Sequence, residues 1–257
     1  MSKNTRFAIS SIILSLLFLS VSLLEIQNKV LGIVVISIAS VALLYWSIKE
    51  AIRIDATLVT LLLPPLYTLG VGLFWFLLPS TILSTLPIVV LYGVGMFGLY
   101  KTMNIFAVST YKKIALSRAA GGVGFVLTLF TSFLLYDAIL SLKTLPMITV
   151  PVIFVVSFVL LLQGLWSSEL SNRIDRRVIQ LSATSSYAIA TMALILFFWP
   201  VSLIEGSLLL TVAMYVLLGI GQARIEGRLF KTTIREYLII GIVVLGFMIL
   251  ITSWRNF

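Results

Sequence analysis

The sequence predicts an all-α, polytopic transmembrane helical bundle of about nine spans, arranged as four short-looped hairpins plus a C-terminal helix. Three observations predict it. Of the 257 residues 60% are hydrophobic and only 11% charged, whereas a soluble chain carries about 25% charged residues. Too few polar side chains remain to cover a water-soluble surface. Nine apolar segments approach the ~17 to 25 residues that a helix needs to cross the hydrocarbon layer. Finally, Lys and Arg cluster in alternate connections between those segments, the pattern of cytoplasmic loops. The whole chain, residues 1–257, is expected to form a single integral membrane domain with no separate soluble domain.

The first segment, Phe7 to Leu24, follows Lys3 and Arg6. That opening also resembles a secretory signal with small residues at Ser20-Val21-Ser22, and cleavage there would leave eight helices in the same orientation. The apolar run is long for a signal core, so it is taken as a span. Val30 to Ile48 comes second, after a short connection. The third segment, Ala56 to Leu78, contains Pro64-Pro65. Each proline lacks a donor and Pro65 restricts Pro64, so this helix should be kinked or broken. Broken membrane helices can frame transport sites through their freed carbonyls and helix ends.

Ile82 to Tyr100 forms the fourth segment. Between it and the fifth, Ala119 to Leu140, a short amphipathic helix is expected in the interface over Met103 to Ser117, where Ile105, Val108, Tyr111 and Ile114 recur at spacing three. The sixth segment, Leu145 to Trp166, holds the uninterrupted apolar runs Val150 to Phe154 and Phe158 to Leu162. Neither run alternates, which excludes barrel strands. The seventh and eighth, Leu181 to Trp199 and Ser202 to Gln222, are separated only by Pro200 and Val201, and a single broken hairpin competes with two full spans. Tyr237 to Trp254 is the ninth.

All but three of the 18 Lys and Arg residues fall on one side of this arrangement; Lys29, Lys143 and Arg255 fall on the other. The N-terminus is therefore expected in the cytoplasm and the C-terminus outside, in the plasma (inner) membrane of a prokaryote. Trp46, Trp75, Trp166, Trp199 and Trp254 all lie near segment ends, as an interfacial aromatic belt would place them.

The chain has no Cys and no His. Disulfides, thiolate clusters and Ser-His or Cys-His nucleophilic pairs are excluded. No cofactor and no metal site is expected. An intramembrane enzyme acting on lipid has only the acidic pairs Glu50 with Asp55, Glu169 with Asp175, and Glu226 with Glu236 to draw on. Gly93-Val94-Gly95-Met96-Phe97-Gly98 matches G-x-G-x-x-G, but it lies in an apolar span with no preceding strand, so its glycines read as packing residues.

The polar positions inside the membrane are the candidate site. Asp137 stands in Leu134-Leu135-Tyr136-Asp137-Ala138-Ile139-Leu140, where a carboxylate either lines a cavity or reaches the headgroups from one turn below the boundary. Glu205 is placed similarly, and the two carboxylates would hold a cation or share a proton if they converged. The seventh segment is rich in hydroxyls. Thr184, Tyr187 and Thr191 share one face, expected to point into the bundle, with Gln163 joining them; the competing reading is hydroxyls bonded back to their own helix. Tyr67 accompanies the break at Pro64 and Pro65.

Anionic lipid contacts are expected from Lys112, Lys113, Arg118, Arg173, Arg176, Arg177, Arg224 and Arg228. The preferred function is transporter-like, for a small solute, an ion or a lipid. The alternative is a non-catalytic structural or assembly protein that binds membrane lipids or a protein partner, or a second copy of itself, through the basic loops. Nucleic-acid binding is not expected, because no aromatic platform accompanies the charges.

Overall fold

The computed structural model describes residues 3–49, 55–78, 82–112, 115–171 and 173–252. Among them there is no strand. Among the described residues nine helices are long and apolar enough to cross a membrane, which fits a multi-pass integral membrane protein. They are α1 (Lys3–Ser22), α2 (Ile26–Ile48), α3 (Leu63–Trp75), α4 (Ile82–Ser109), α5 (Ser117–Ser141), α6 (Pro146–Glu169), α7 (Arg176–Phe197), α8 (Leu203–Ile225) and α9 (Lys231–Ile251). The chain divides into two compact units, Met1–Thr131 with Leu170–Arg173, and Ser132–Glu169 with Ile174–Phe257. The division falls inside α5.

In the first unit α1 packs on α2 and α4, and α2 on α3. The proline pair does break the third segment. A 3-10 turn over Asp55–Leu61 precedes α3, whose first turn holds Pro64 and Pro65, where missing N–H donors cost nothing because that turn has no intrahelical acceptors for them. Hydroxyls tie the break to its neighbours. Ser37 donates to the Pro65 carbonyl at 2.9 Å, Thr68 bonds back to the Pro64 carbonyl at 2.9 Å, and Thr68 Oγ1 lies 3.0 Å from Tyr92 Oη. Tyr100 donates to the Ser40 carbonyl at 2.6 Å.

An aromatic cluster fills the same unit. Phe18 stacks on Tyr92 with centroids 4.8 Å apart and meets Trp75 at 5.7 Å, while Tyr67 and Tyr92 stack at 5.8 Å. Trp75 is buried, and in the second unit Trp166 is fully buried, so the interfacial reading of the tryptophans is corrected for both. Large rings at segment ends are taken up by helix packing here. Trp46 remains exposed at 42%, Trp199 bonds Thr252 Oγ1 at 3.1 Å, and Trp254 lies outside the described residues.

Gly93 and Gly95 of α4 are packing residues, a Cβ at Gly93 falling on Ser15 Oγ; Gly98 is not, and the packing expected of all three is corrected for it. A Cβ at Gly95 would fall on Tyr67 Oη, whereas one at Gly98 would meet nothing within 4 Å. Gly95→Ala is therefore expected to cost about 1 to 3 kcal/mol through overpacking. Gly98→Ala should stay within about 0.5 kcal/mol of the parent. Unfolding in detergent checks both, and equal effects of the two would contradict the close approach.

Helices run further than hydropathy alone places them. α4 continues unbroken through Ser109, so the interfacial helix expected from Met103 is corrected: Met103, Phe106 and Ala107 recur at helical spacing and are fully buried in the first unit. Likewise α7 begins at Arg176 and α9 at Lys231. A basic side chain does not stop a helix, because its stem lies along the apolar surface while its charge reaches water.

In the second unit α6 packs on α7 and α8, α7 on α8, and α8 on α9. The seventh and eighth segments are two separate helices of 22 and 23 residues. What separates them is a strong start signal. Ser202 accepts from the Glu205 N–H at 3.4 Å while the Glu205 carboxylate accepts from the Ser202 N–H at 2.8 Å, a reciprocal cap that satisfies two otherwise free donors.

Candidate functional site

α5 delivers one carboxylate into the second unit. Its final turns are buried from Leu134 to Ile139, and Asp137 is only 5% exposed. Tyr136 beside it is fully buried and lies 2.7 Å from Ser157 Oγ on α6, which fixes the rotation of the helix. From α8 comes Ser207, also fully buried, whose hydroxyl is 3.1 Å from Asp137 Oδ1 and 3.0 Å from the Ile204 carbonyl. The cap at Ser202 sets the register that places Ser207 there. Gly206 lets α8 come close: a Cβ on it would already meet Leu140 Cδ1 at 3.3 Å.

The hydrogen-bond arithmetic at this pair is specific. A serine hydroxyl has one proton, and two acceptors stand within reach of it. Ser207 donates to the Asp137 carboxylate, and the Ile204 carbonyl competes for the same proton.

A cleft of about 240 Å³ opens next to it, with Leu140 and Gly206 in its wall and Lys143, Thr144 and Ser202 among its other lining residues. Leu140 is one turn from Asp137 on α5, and Gly206 adjoins Ser207 on α8. Glu205 does not join the site. Its carboxylate is engaged in capping α8, so the condition for a shared cation or proton with Asp137 is not met. The Ser-x-x-Glu spacing ahead of an apolar run is the signal that assigns Glu205 to a cap.

The expected polar face of α7 is also corrected. Thr184 is exposed and Tyr187 is 66% exposed, while the inward positions are Ser182, Ser186, Ile189 and Ala193. Thr184 and Thr191 bond back to the carbonyls of Gln180 and Tyr187, both at 2.9 Å. A threonine that satisfies itself on its own backbone needs no partner across the bundle. Gln163 on α6 is buried, next to the position where Gln222 Nε2 of α8 donates to the Gly164 carbonyl at 2.9 Å. Tyr67 belongs to the aromatic cluster of the first unit, its hydroxyl 3.5 Å from the Leu91 carbonyl.

At the other end of the second unit lies a larger open cavity of about 560 Å³. Glu169 at the end of α6, Asp175 and Arg177 at the start of α7, and Arg224 near the end of α8 line it, together with the apolar Val178, Leu181 and Ile225. Arg177 Nε and Asp175 Oδ2 are 4.0 Å apart. Only Arg177 and Arg224 of the expected basic contacts meet there. Arg228 pairs with Glu226 instead. Lys112, Arg118, Arg173 and Arg176 are exposed, and Lys113 lies outside the described residues. Sequence reading identified the basic residues and named Glu169 with Asp175, but not that both signs share one cavity.

No curated protein and no solved structure matches this chain. A protein family described as "Protein of unknown function (DUF5656)" matches residues 9–251, a stretch that includes Asp137, Ser207 and every residue of the two cavities described above, and the chain belongs to that family.

Proposed function

We propose that this protein is a multi-pass transporter-like membrane protein in which Asp137 takes up and releases a proton or a small cation. The reading places the chain as one membrane domain in the plasma (inner) membrane of a prokaryote, with the N-terminus in the cytoplasm and the C-terminus outside. The observation that carries it is the buried Asp137 and Ser207 pair. A carboxylate at the centre of a membrane helix costs about 2.5 to 3.5 kcal/mol on insertion scales and marks an ion or proton path; Asp137 lies nearer the end of α5 but is buried in the protein. Ser207 offers one hydroxyl where a carboxylate has room for several donors.

On this reading the cleft beside Leu140 and Gly206, one turn from Asp137 and next to Ser207 in sequence, lies on the outer side, and the mixed-charge cavity lies at the cytoplasmic end of the same unit. The test uses the purified chain in sealed vesicles carrying a trapped pH-sensitive dye, with a proton, Na+ or K+ gradient imposed. Dissipation faster than in protein-free vesicles for one of these ions is expected. Identical traces with and without protein for all three would remove the reading.

A second reading rests on the exposed basic residues Lys112, Arg118, Arg173 and Arg176. On it, the protein is a non-catalytic membrane component that holds anionic lipid or a protein partner by its cytoplasmic face. Each such residue contributes about 1 kcal/mol near an anionic surface. A binding strength that falls steeply with salt, with no ion flux, is its signature.

A further inference from the structure

We propose that the cavity bounded by α6, α7 and α8 is a binding site for a phosphoethanolamine group, the headgroup of a zwitterionic phospholipid. Among the described residues its charged lining is balanced, two carboxylates from Glu169 and Asp175 against two guanidinium groups from Arg177 and Arg224. A ligand of one sign would meet repulsion from half of that lining. One that carries both signs a few bonds apart has a partner for each. Arginine presents its donors in a planar fork that matches phosphate oxygens, and an ammonium donates three N–H bonds to carboxylates.

The rest of the lining places this site at a lipid headgroup. Leu181 and Thr184 fall within the apolar span of α7, while Glu169, Asp175 and Arg224 lie beyond the apolar stretches of their helices. The cavity thus crosses from hydrocarbon level to headgroup level, and Val178, Leu181 and Ile225 supply an apolar wall for the first part of an acyl chain. Choline is disfavoured. A quaternary ammonium has no N–H to donate and is recognised by aromatic cages, and no aromatic residue is among the lining residues described. The closed pair of Arg228 with Glu226 stands outside the lining and leaves Arg224 to the ligand.

Native mass spectrometry of the full chain in detergent, with equimolar phosphatidylethanolamine, phosphatidylcholine and phosphatidylglycerol, tests this. Retention of phosphatidylethanolamine over each of the other two by about tenfold is expected from two charge-assisted contacts. Arg224→Ala should abolish that preference. Glu169→Gln should instead reverse it towards phosphatidylglycerol, because removing one carboxylate leaves the lining net positive. A gain of binding of this kind is not produced by misfolding. Water-soluble glycerophosphoethanolamine separates the two sources of the group: if it displaces the lipid at matched concentration the free headgroup suffices, and if it does not the lipid is the ligand, and both outcomes support the assignment. Equal retention of the three lipids by the parent chain, or a Glu169→Gln chain with unaltered order of preference, would overturn it. The readout is independent of ion flux, so its failure leaves the role of Asp137 standing, and the converse holds as well.

Discussion

Asp137→Asn is expected to abolish gradient-driven ion exchange in reconstituted vesicles while leaving the protein inserted and folded. Asparagine keeps the shape of the side chain and an oxygen that accepts from Ser207 Oγ, now at 3.1 Å from Asp137 Oδ1. What it removes is the ability to carry a proton or to neutralise a cation. The loss should be at least about a hundredfold, the lower range for removing an acid or base from a proton-transfer step. Ser207→Ala separates hydrogen bonding from charge. It deletes the only hydroxyl found on the carboxylate among the described residues and is expected to destabilise the folded protein by about 1 to 3 kcal/mol, yet to slow exchange less than Asp137→Asn does. Unchanged flux in Asp137→Asn, with normal insertion, would assign the residue to packing alone.

Trp166→Ala is expected to be the most damaging single truncation among the tryptophans. Trp166 is fully buried on α6 in company with the fully buried Leu160, Leu161 and Leu165. Because lipid is as apolar as a protein core, little of the cost comes from transfer out of water; it comes from the cavity left behind and the dispersion attraction that the side chains around it forfeit. The low end of the range for large-to-small core changes, about 3 kcal/mol, is the appropriate figure. Trp46→Ala provides the contrast. Trp46 is 42% exposed, and Arg6 sits 5.9 Å from its ring centroid, so its loss should cost only about 0.5 to 1 kcal/mol, the value of an exposed cation–π contact. Unfolding temperatures in one detergent compare them, and a larger drop for Trp46→Ala would mean that the tryptophans act as an interfacial belt after all.

The number and approximate position of the helices were legible because burial in lipid constrains every backbone polar group, and a run of about 20 apolar residues has few other solutions. The break at Pro64 and Pro65 was legible for a related reason: proline removes a donor whatever surrounds it. Helix ends were less so. Hydropathy stops at the first charge, but Arg176, Lys231 and the stretch from Lys101 to Ser109 are helical, since winding is decided by backbone hydrogen bonds and by which face finds a neighbour. The facing of α7 was misread because hydroxyl content does not distinguish Thr184, which is satisfied by its own carbonyls, from Ser182, which is buried.

Asp137 was identifiable alone, as a carboxylate in an apolar run. Its partner was not. Ser207 lies 70 residues away in sequence, and no local pattern marks one buried serine among many. The same limit applies to the mixed-charge cavity: Glu169, Asp175 and Arg224 come from three helices or their ends, and only the packing of α6, α7 and α8 brings them to one place.

Transmembrane threading underlies the proposed roles of Asp137 and of the mixed-charge cavity, and the side reached by the last residue tests it most directly. On the proposed arrangement of nine crossings with a cytoplasmic start, a reporter enzyme fused after Phe257 that matures only outside the cytosol should be active, while a reporter that requires the cytosol should be silent at the same position. The opposite pair of results would contradict the nine-crossing arrangement.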